Sequence, residues 1–216
     1  MRFELRETAD GSLTVFDGEA GECFKSRHAA RLEAEHVFYR PGVLEHPAHG
    51  SRPLDVVELG FGLGTNFQYF LSRGFRGTFR SIERDLAGAA FYLEQAPDAE
   101  LAALVKHGMF ARGEFAATLL PGDFFEILRR LLAAGERADI VLFDPFSPKA
   151  NPTAWTEELF SLAYQLLRPE GRLVTYSVSR TAKDVAAAAG FEVHKHKLPD
   201  ELRKRSALLA IRPVTG

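Results

Sequence analysis

The chain has 216 residues, 46% of them hydrophobic and 26% charged, the composition of ordinary globular protein able to bury a core in one compact domain with a modest extension. A net charge of -2 excludes a globally cationic nucleic-acid binder while leaving room for a local basic patch, and the single cysteine, Cys23, excludes an internal disulfide. Charges run through the first ten residues and no stretch approaches the ~20 apolar residues of a membrane span, so the expectation is a cytoplasmic protein with neither leader nor membrane anchor.

In chain order, residues 1–50 read as a small N-terminal extension. A short alternating run at 12–16 between the turn pairs Asp10-Gly11 and Asp17-Gly18 predicts a hairpin, and an amphipathic stretch over about 26–37 predicts a short helix. From residue 51 to 216 the pattern changes to a main domain. Apolar runs at 54–59, 78–82, 115–120, 140–143 and 172–176 read as buried strands. Helical stretches at about 65–73, 85–95, 123–134, 154–167 and 181–189 lie between them. This alternation predicts βαβ units, an α/β fold with a mostly parallel sheet and helices on both faces. Runs at 191–196 and 207–211 around a polar loop predict an antiparallel C-terminal hairpin at the sheet edge. Most of the eighteen phenylalanines sit inside apolar runs and read as core filler.

The first run leads into L-D-V-V-E-L-G-F-G-L-G-T-N-F, which puts Gly60, Gly62 and Gly64 between a strand and a helix. Glycines suit a sharp turn against which a ligand presses. The spacing G-x-G-x-G lacks the third glycine position of a dinucleotide loop. Glu58, two residues before the first glycine, suits an ammonium and sulfonium ligand better than a pyrophosphate. S-adenosylmethionine is such a ligand, and the fold expected is therefore the Rossmann-like methyltransferase fold. Glu58, Gly60, Phe61, Gly62, Gly64 and Asn66 are the loop's candidate cofactor residues. Glu83 lies 23 residues beyond Gly60, near the ~20-residue offset of a ribose-binding acid. Asp123 opens a predicted helix, where it can cap the helix, accept from an adenine amino group, or do both.

The strand at 140–143 runs into Asp144-Pro145-Phe146-Ser147-Pro148, and three prolines in residues 145–152 stiffen the loop. Ligands of open α/β sheets bind at strand carboxyl ends, so this loop faces the methyl donor. Asp144, Pro145 and Phe146 are close to the Asp/Asn-Pro-Pro-aromatic loop of amino-group methyltransferases and are the candidate catalytic residues; Asp144 is also counted with the cofactor residues. Only an uncharged amine has the lone pair to attack carbon, whereas an alkyl amine is mostly protonated near neutral pH. Asp144 is the candidate proton acceptor. No metal is required, and no Cys/His spacing exists to hold one.

Together the motifs resemble the MnmC methyltransferase family. E-L-G-F-G-L-G-T-N-F resembles that family's E-x-G-F-G-T-G-L-N-F, and D-P-F-S-P-K-A-N-P-T-A-W resembles its D-G-F-A-P-x-x-N-P-x-M-W. R-L-E-A-E-H-V-F upstream, and G-R-L-V-T-Y-S, A-G-F-E-V and R-K-R-S-A-L-L downstream, extend the resemblance over roughly residues 22–212. It implies methylation of the aminomethyl group on the tRNA wobble uridine, giving 5-methylaminomethyl-2-thiouridine, by a stand-alone form without the FAD-dependent oxidase. Glu58, Gly60, Gly62, Gly64, Glu83 and Asp123 then fall at cofactor positions, and Asp144 at the catalytic acid. Asn151 and Trp155 fall in the substrate segment. Thr and Leu are exchanged around Gly64, Pro145 replaces Gly, and Ala154 replaces Met. The partner implied is tRNA. The local patch for it is 194–205, with five Lys/Arg against two acids and Arg203, Lys204 and Arg205 foremost; it is either a phosphate contact or an edge hairpin kept soluble by its lysines. A small-molecule N- or O-methyltransferase and a non-catalytic cofactor-binding protein are the rival readings.

Overall fold

The computed structural model describes residues 2–26 and 29–214. The chain opens with β1 (Phe3–Glu7), β2 (Leu13–Asp17) and β3 (Glu22–Cys23), a three-stranded antiparallel sheet in the order β1-β2-β3. A single turn of helix, α1 (Ala30–Glu33), continues into a π-helical segment, Ala34–Leu44, that carries Pro41. The helix expected over 26–37 therefore starts later and runs further, and its residues 27 and 28 lie outside the described residues.

The main sheet is built from β4 (Leu54–Leu59), β5 (Gly77–Glu83), β6 (Met109–Arg112), β7 (Phe115–Pro121), β8 (Ala138–Phe143), β9 (Leu167–Thr175), β10 (Glu192–Lys197) and β11 (Ser206–Ile211). Its order is β10-β11-β9-β8-β4-β5-β7-β6. The pairs among β9, β8, β4, β5 and β7 are parallel, while β6 and the β10–β11 hairpin join antiparallel at the two edges. The connecting helices are α2 (Thr65–Ser72), α3 (Ala87–Gln95), α4 (Ala99–His107), α5 (Phe124–Ala133), α6 (Glu157–Leu166) and α7 (Arg180–Ala188). No helix among the described residues is long and apolar enough to cross a membrane.

Period-two alternation sorts the central strands onto two cores. Val56, Ile140 and Leu142 face one core, with Phe67, Phe70, Phe79 and Phe115. Val57, Leu59, Val141 and Phe143 face the other, with Trp155, Phe160 and Leu166. Ten of the eighteen phenylalanines are buried in the two cores, as expected of most of them; Phe70 meets Phe75 and Phe79 edge to face at 5.2 and 5.1 Å. The extension shares the first core through Ala34, Val37 and Phe38.

The predicted helix over 154–167 begins at Glu157, because residues 152–154 form a 3₁₀ turn and the Thr156 hydroxyl caps the helix. The strand expected from 172 begins at Leu167, with an irregularity in its pairing to β8. The hairpin expected in the extension is present as β1–β2, with β3 added beside β2; α4 and β6 were not expected from the sequence.

The strand order places the site. From β4 the chain steps outward through β5 to β7, then returns to β8 on the other side of β4. The carboxyl ends of β4 and β8 thus form the switch point at which open α/β sheets hold ligands.

Candidate functional site

At that switch point the backbone leaves β4 at Gly60 with φ +97, while the Asp144 N–H donates to the Leu59 carbonyl at 2.9 Å. A Cβ on Gly60 would stand 2.7 Å from the Asp144 carbonyl oxygen, so the two loops meet backbone to backbone and only glycine fits. Two residues on, the Gly62 N–H donates to Glu83 Oε2 at 3.1 Å. The other Glu83 oxygen accepts from the amides of Arg84 and Asp85 at 2.8 and 3.1 Å. Burial pushes the Glu83 carboxyl above its usual range despite these bonds. The first loop and the end of β5 are thereby locked together on one side of a cleft of about 820 Å³.

Glu58 lies behind that loop. It is 1% exposed and does not line the cleft; Ser81 Oγ donates to its Oε2, and Asn66 Nδ2 to its Oε1 at 2.8 Å. Burial raises its carboxyl to about 8, so the neutral acid predominates at neutral pH. Asn66 Nδ2 also donates to Asp144 Oδ2 at 3.1 Å, linking the two acids. Glu58 and Asn66, expected at the cofactor, thus form a buried support behind the cleft wall, and Gly64, whose left-handed φ of +76 starts α2, does not line the cleft either.

Asp144 follows β8 and lines the cleft. Its Oδ2 receives both Asn66 and the Lys25 ammonium, in an ion pair whose side chains are 6% and 3% exposed. Burial lifts the Asp144 carboxyl to about 6 against the pull of Lys25, leaving it mostly ionised at neutral pH. Burial also works against charge on Lys25. The carboxylates of Asp144 and then Glu33 outweigh it and raise the ammonium above its usual value.

The loop after Asp144 is fastened at three points. Tyr176 Oη donates to the Pro145 carbonyl at 2.9 Å, Trp155 Nε1 donates to the Phe146 carbonyl at 2.9 Å, and the Ser147 amide and hydroxyl donate to Glu22 of β3. Trp155 is 3% exposed and packs on Phe143, so the expected substrate contact is instead an interior strut. Pro145, Phe146 and Asn151 line the cleft. Phe61 lines it as well but is buried itself. Asp123 caps α5, accepting from the Phe125 amide at 2.9 Å, and also lines the cleft, so the cap and an exposed face coexist.

The basic triad separates. Arg203 and Arg205 are exposed, Arg203 with φ +51. Lys204 is exposed too, at 41% of its side chain, but lines the cleft, where it pairs with Glu33 at 3.5 Å and sits 4.7 Å over the Tyr176 ring.

Glu22, Phe24, Lys25, Glu33 and Tyr176 were missed by sequence reasoning. Phe24 covers Gly62 and Gly88 and meets Phe146 at 5.1 Å between centroids. G-E-C-F-K-S carries no motif; a lysine beside an aromatic in the extension was the only available sign.

The donor set suits S-adenosylmethionine. Glu83, Asp123 and Asp144 open onto one cleft from the ends of β5, β7 and β8. The Gly60–Gly62 turn lines it, and the three acids fit a cationic ligand and disfavour a pyrophosphate.

Comparison with known proteins agrees. The family profile described as S-adenosyl-L-methionine-dependent methyltransferase matches residues 91–213. A curated relative, the tRNA 5-methylaminomethyl-2-thiouridine biosynthesis bifunctional protein MnmC of Ralstonia nicotianae, is 30% identical over 93% of this chain and 33% of its own length. The protein of the same name from Chromobacterium violaceum is 34% identical over 81% of this chain and 30% of its own. The chain thus spans about a third of the length of these relatives. The crystal structure of MNMC2 from Aquifex aeolicus superposes with a TM-score of 0.78 at 24% identity, covering 99% of this chain and 71% of that one. Spermidine synthase from Thermotoga maritima shares the fold at a TM-score of 0.67 and 14% identity, over 99% of this chain and 70% of its own. With the profile spanning more than half of its residues, the chain belongs to the S-adenosyl-L-methionine-dependent methyltransferase family.

Proposed function

We propose that this methyltransferase acts on the aminomethyl group of the tRNA wobble uridine, giving 5-methylaminomethyl-(2-thio)uridine in the cytoplasm. The observation that carries the reading is Asp144 at the switch point: both resident donors use its Oδ2, and Oδ1 has no donor among the described residues. That oxygen is the hydrogen-bond acceptor for an incoming amine. The curated relatives named for 5-methylaminomethyl-2-thiouridine biosynthesis support the choice of amine.

S-adenosylmethionine, when bound, supplies an electrophilic methyl group whose bonding pair returns to sulfur as the new N–C bond forms. In this reading Glu83 holds the ribose hydroxyls, and Asp123 accepts from the adenine amino group. The Gly60–Gly62 turn lets the ligand approach the backbone, and Glu58 with Asn66 holds Asp144 from below. Asp144 Oδ1 aligns the amine, and alignment of this kind is worth orders of magnitude in rate. The Phe146 ring packs on the acceptor, and Asn151 lies at the mouth. Arg203 and Arg205 contact tRNA phosphates. The described part of residues 1–50 is an extension packed on the main domain that begins at residue 51, and it lines the cleft through Phe24 and Glu22.

Asp144→Asn keeps the shape and removes the charge. We expect its turnover to fall about 100-fold or more, on the scale of lost acid–base and positioning groups. Its affinity for S-adenosylmethionine, read by calorimetry, should stay within about threefold, below the ~1 kcal/mol of a typical hydrogen bond. Equal loss of both would move Asp144 from the acceptor to the cofactor.

A further inference from the structure

Lys25 is a buried cation that the proposed chemistry does not yet use. It is 5% exposed, and its backbone is tied to β2: its N–H donates to Thr14 Oγ1 at 3.1 Å, and its carbonyl accepts from the same hydroxyl at 3.4 Å. Its ammonium touches Asp144 Oδ2 and stands 4.8 Å from the centre of the Phe38 ring. The titratable groups around it come from every element packed there. They are the charged Asp144 after β8 and Glu33 of α1, the protonated Glu58 of β4, Lys204 before β11, which pairs with Glu33, and the neutral Tyr176 hydroxyl after β9. The side chain is therefore held from both ends and does not lie free in the cleft.

Such a lysine poses a problem for a second amine. An alkylammonium with a solution value of ~10 would have to approach Asp144 with a like charge already bound to the same carboxylate. A like charge within a few ångströms disfavours the charged form. The neutral amine meets no such repulsion, and it is the form with a lone pair.

We propose that Lys25 is a positioning residue for methyl transfer: with Asn66 it occupies Oδ2 of Asp144, leaves Oδ1 to the acceptor, and by its fixed charge selects the acceptor as the neutral amine. The incoming ammonium then releases its proton to solvent on entering. The neutral nitrogen donates one N–H to Oδ1 and forms the N–C bond with its lone pair. The secondary ammonium so formed carries the positive charge formerly on sulfur, is repelled by Lys25, and leaves. This rests on the amine-methylation reading above, and it changes the part of Asp144 from proton store to hydrogen-bond acceptor.

The test is the pH dependence of the single-turnover rate with saturating S-adenosylmethionine and tRNA carrying the aminomethyl uridine. The parent, Lys25→Met and Lys25→Arg are compared. Removing the cation should move the acid limb up by about one unit or more, while acceptor binding near neutral pH stays equal or tightens. Arginine should keep the parent profile. Lys25→Gln is the second charge-free variant should methionine not fold. An acid limb unmoved in the charge-free variants, or moved equally in Lys25→Arg, overturns the proposal.

A carboxyl ¹³C NMR titration of Asp144 needs no acceptor. Its midpoint should rise in Lys25→Met, and an unmoved midpoint overturns the coupling whatever the substrate. If the midpoint rises while the parent leaves the tRNA unmethylated, the Lys25–Asp144 coupling is supported and the tRNA reading alone falls.

Discussion

Glu58 shows how burial changes what a carboxylate does. Two residues before the glycines it suited a cationic cofactor, yet it points into the molecule, hydrogen-bonded to Ser81 and Asn66. Its folded form titrates at about 8, well above the 4.5 of a free side chain. The fold therefore prefers the protonated acid. Glu58 contributes its full stability below about 4.5, loses it as pH climbs toward about 8, and changes little beyond. Glu58→Gln has no proton to lose. In thermal melts, the parent's melting temperature should fall relative to Glu58→Gln between about pH 5.5 and about pH 8.5. A constant difference over that range would contradict the burial assigned to this group. The positions of Glu58, Gly60, Glu83 and Asp144 were legible because strand ends and turns leave local patterns. Lys25 was not, since its partner lies 119 residues away and nothing around it in the chain encodes that meeting.

At the element scale, the loop from Asp144 to Trp155 is stiff because its Pro145 and Phe146 carbonyls are held by Tyr176 and by Trp155 at its own end. Trp155 supplies one anchor from inside the second core. Trp155→Phe keeps an aromatic ring and removes the donor to Phe146. We expect a stability loss of about 1–2 kcal/mol in urea titration, the cost of a lost buried hydrogen bond with a small packing defect. An unchanged midpoint would show that the bond contributes nothing to the fold. The buried strands could be read from their apolar runs because water exclusion on both faces demands such runs. β6 could not: its Met109 is 68% exposed, and it pairs at an edge without a face to bury. α4 did carry signals, with Asp98 capping through the Leu101 amide at 2.7 Å and a left-handed Gly108 closing it, but they flank only nine residues. The π-helical segment hid behind Pro41, which reads as a helix breaker.

At the scale of the whole molecule, the activity comes from bringing together three parts distant in sequence. β4 ends in the glycine turn, β8 ends in Asp144, and the three-stranded extension closes over both through Phe24 and Lys25. The α/β class was written in the alternation of strands and helices. The strand order was not, because it depends on which distant edges pair, and the switch point follows from that order alone. The central claim is that the cleft so formed methylates the aminomethyl nitrogen of a tRNA wobble uridine. The direct measurement is transfer of labelled methyl from S-adenosylmethionine to tRNA with and without that group, read in the digested nucleosides. Label in 5-methylaminomethyl-uridine from the first tRNA alone is the result predicted. No label in either tRNA while the protein binds S-adenosylmethionine, or equal label in both, would contradict the claim.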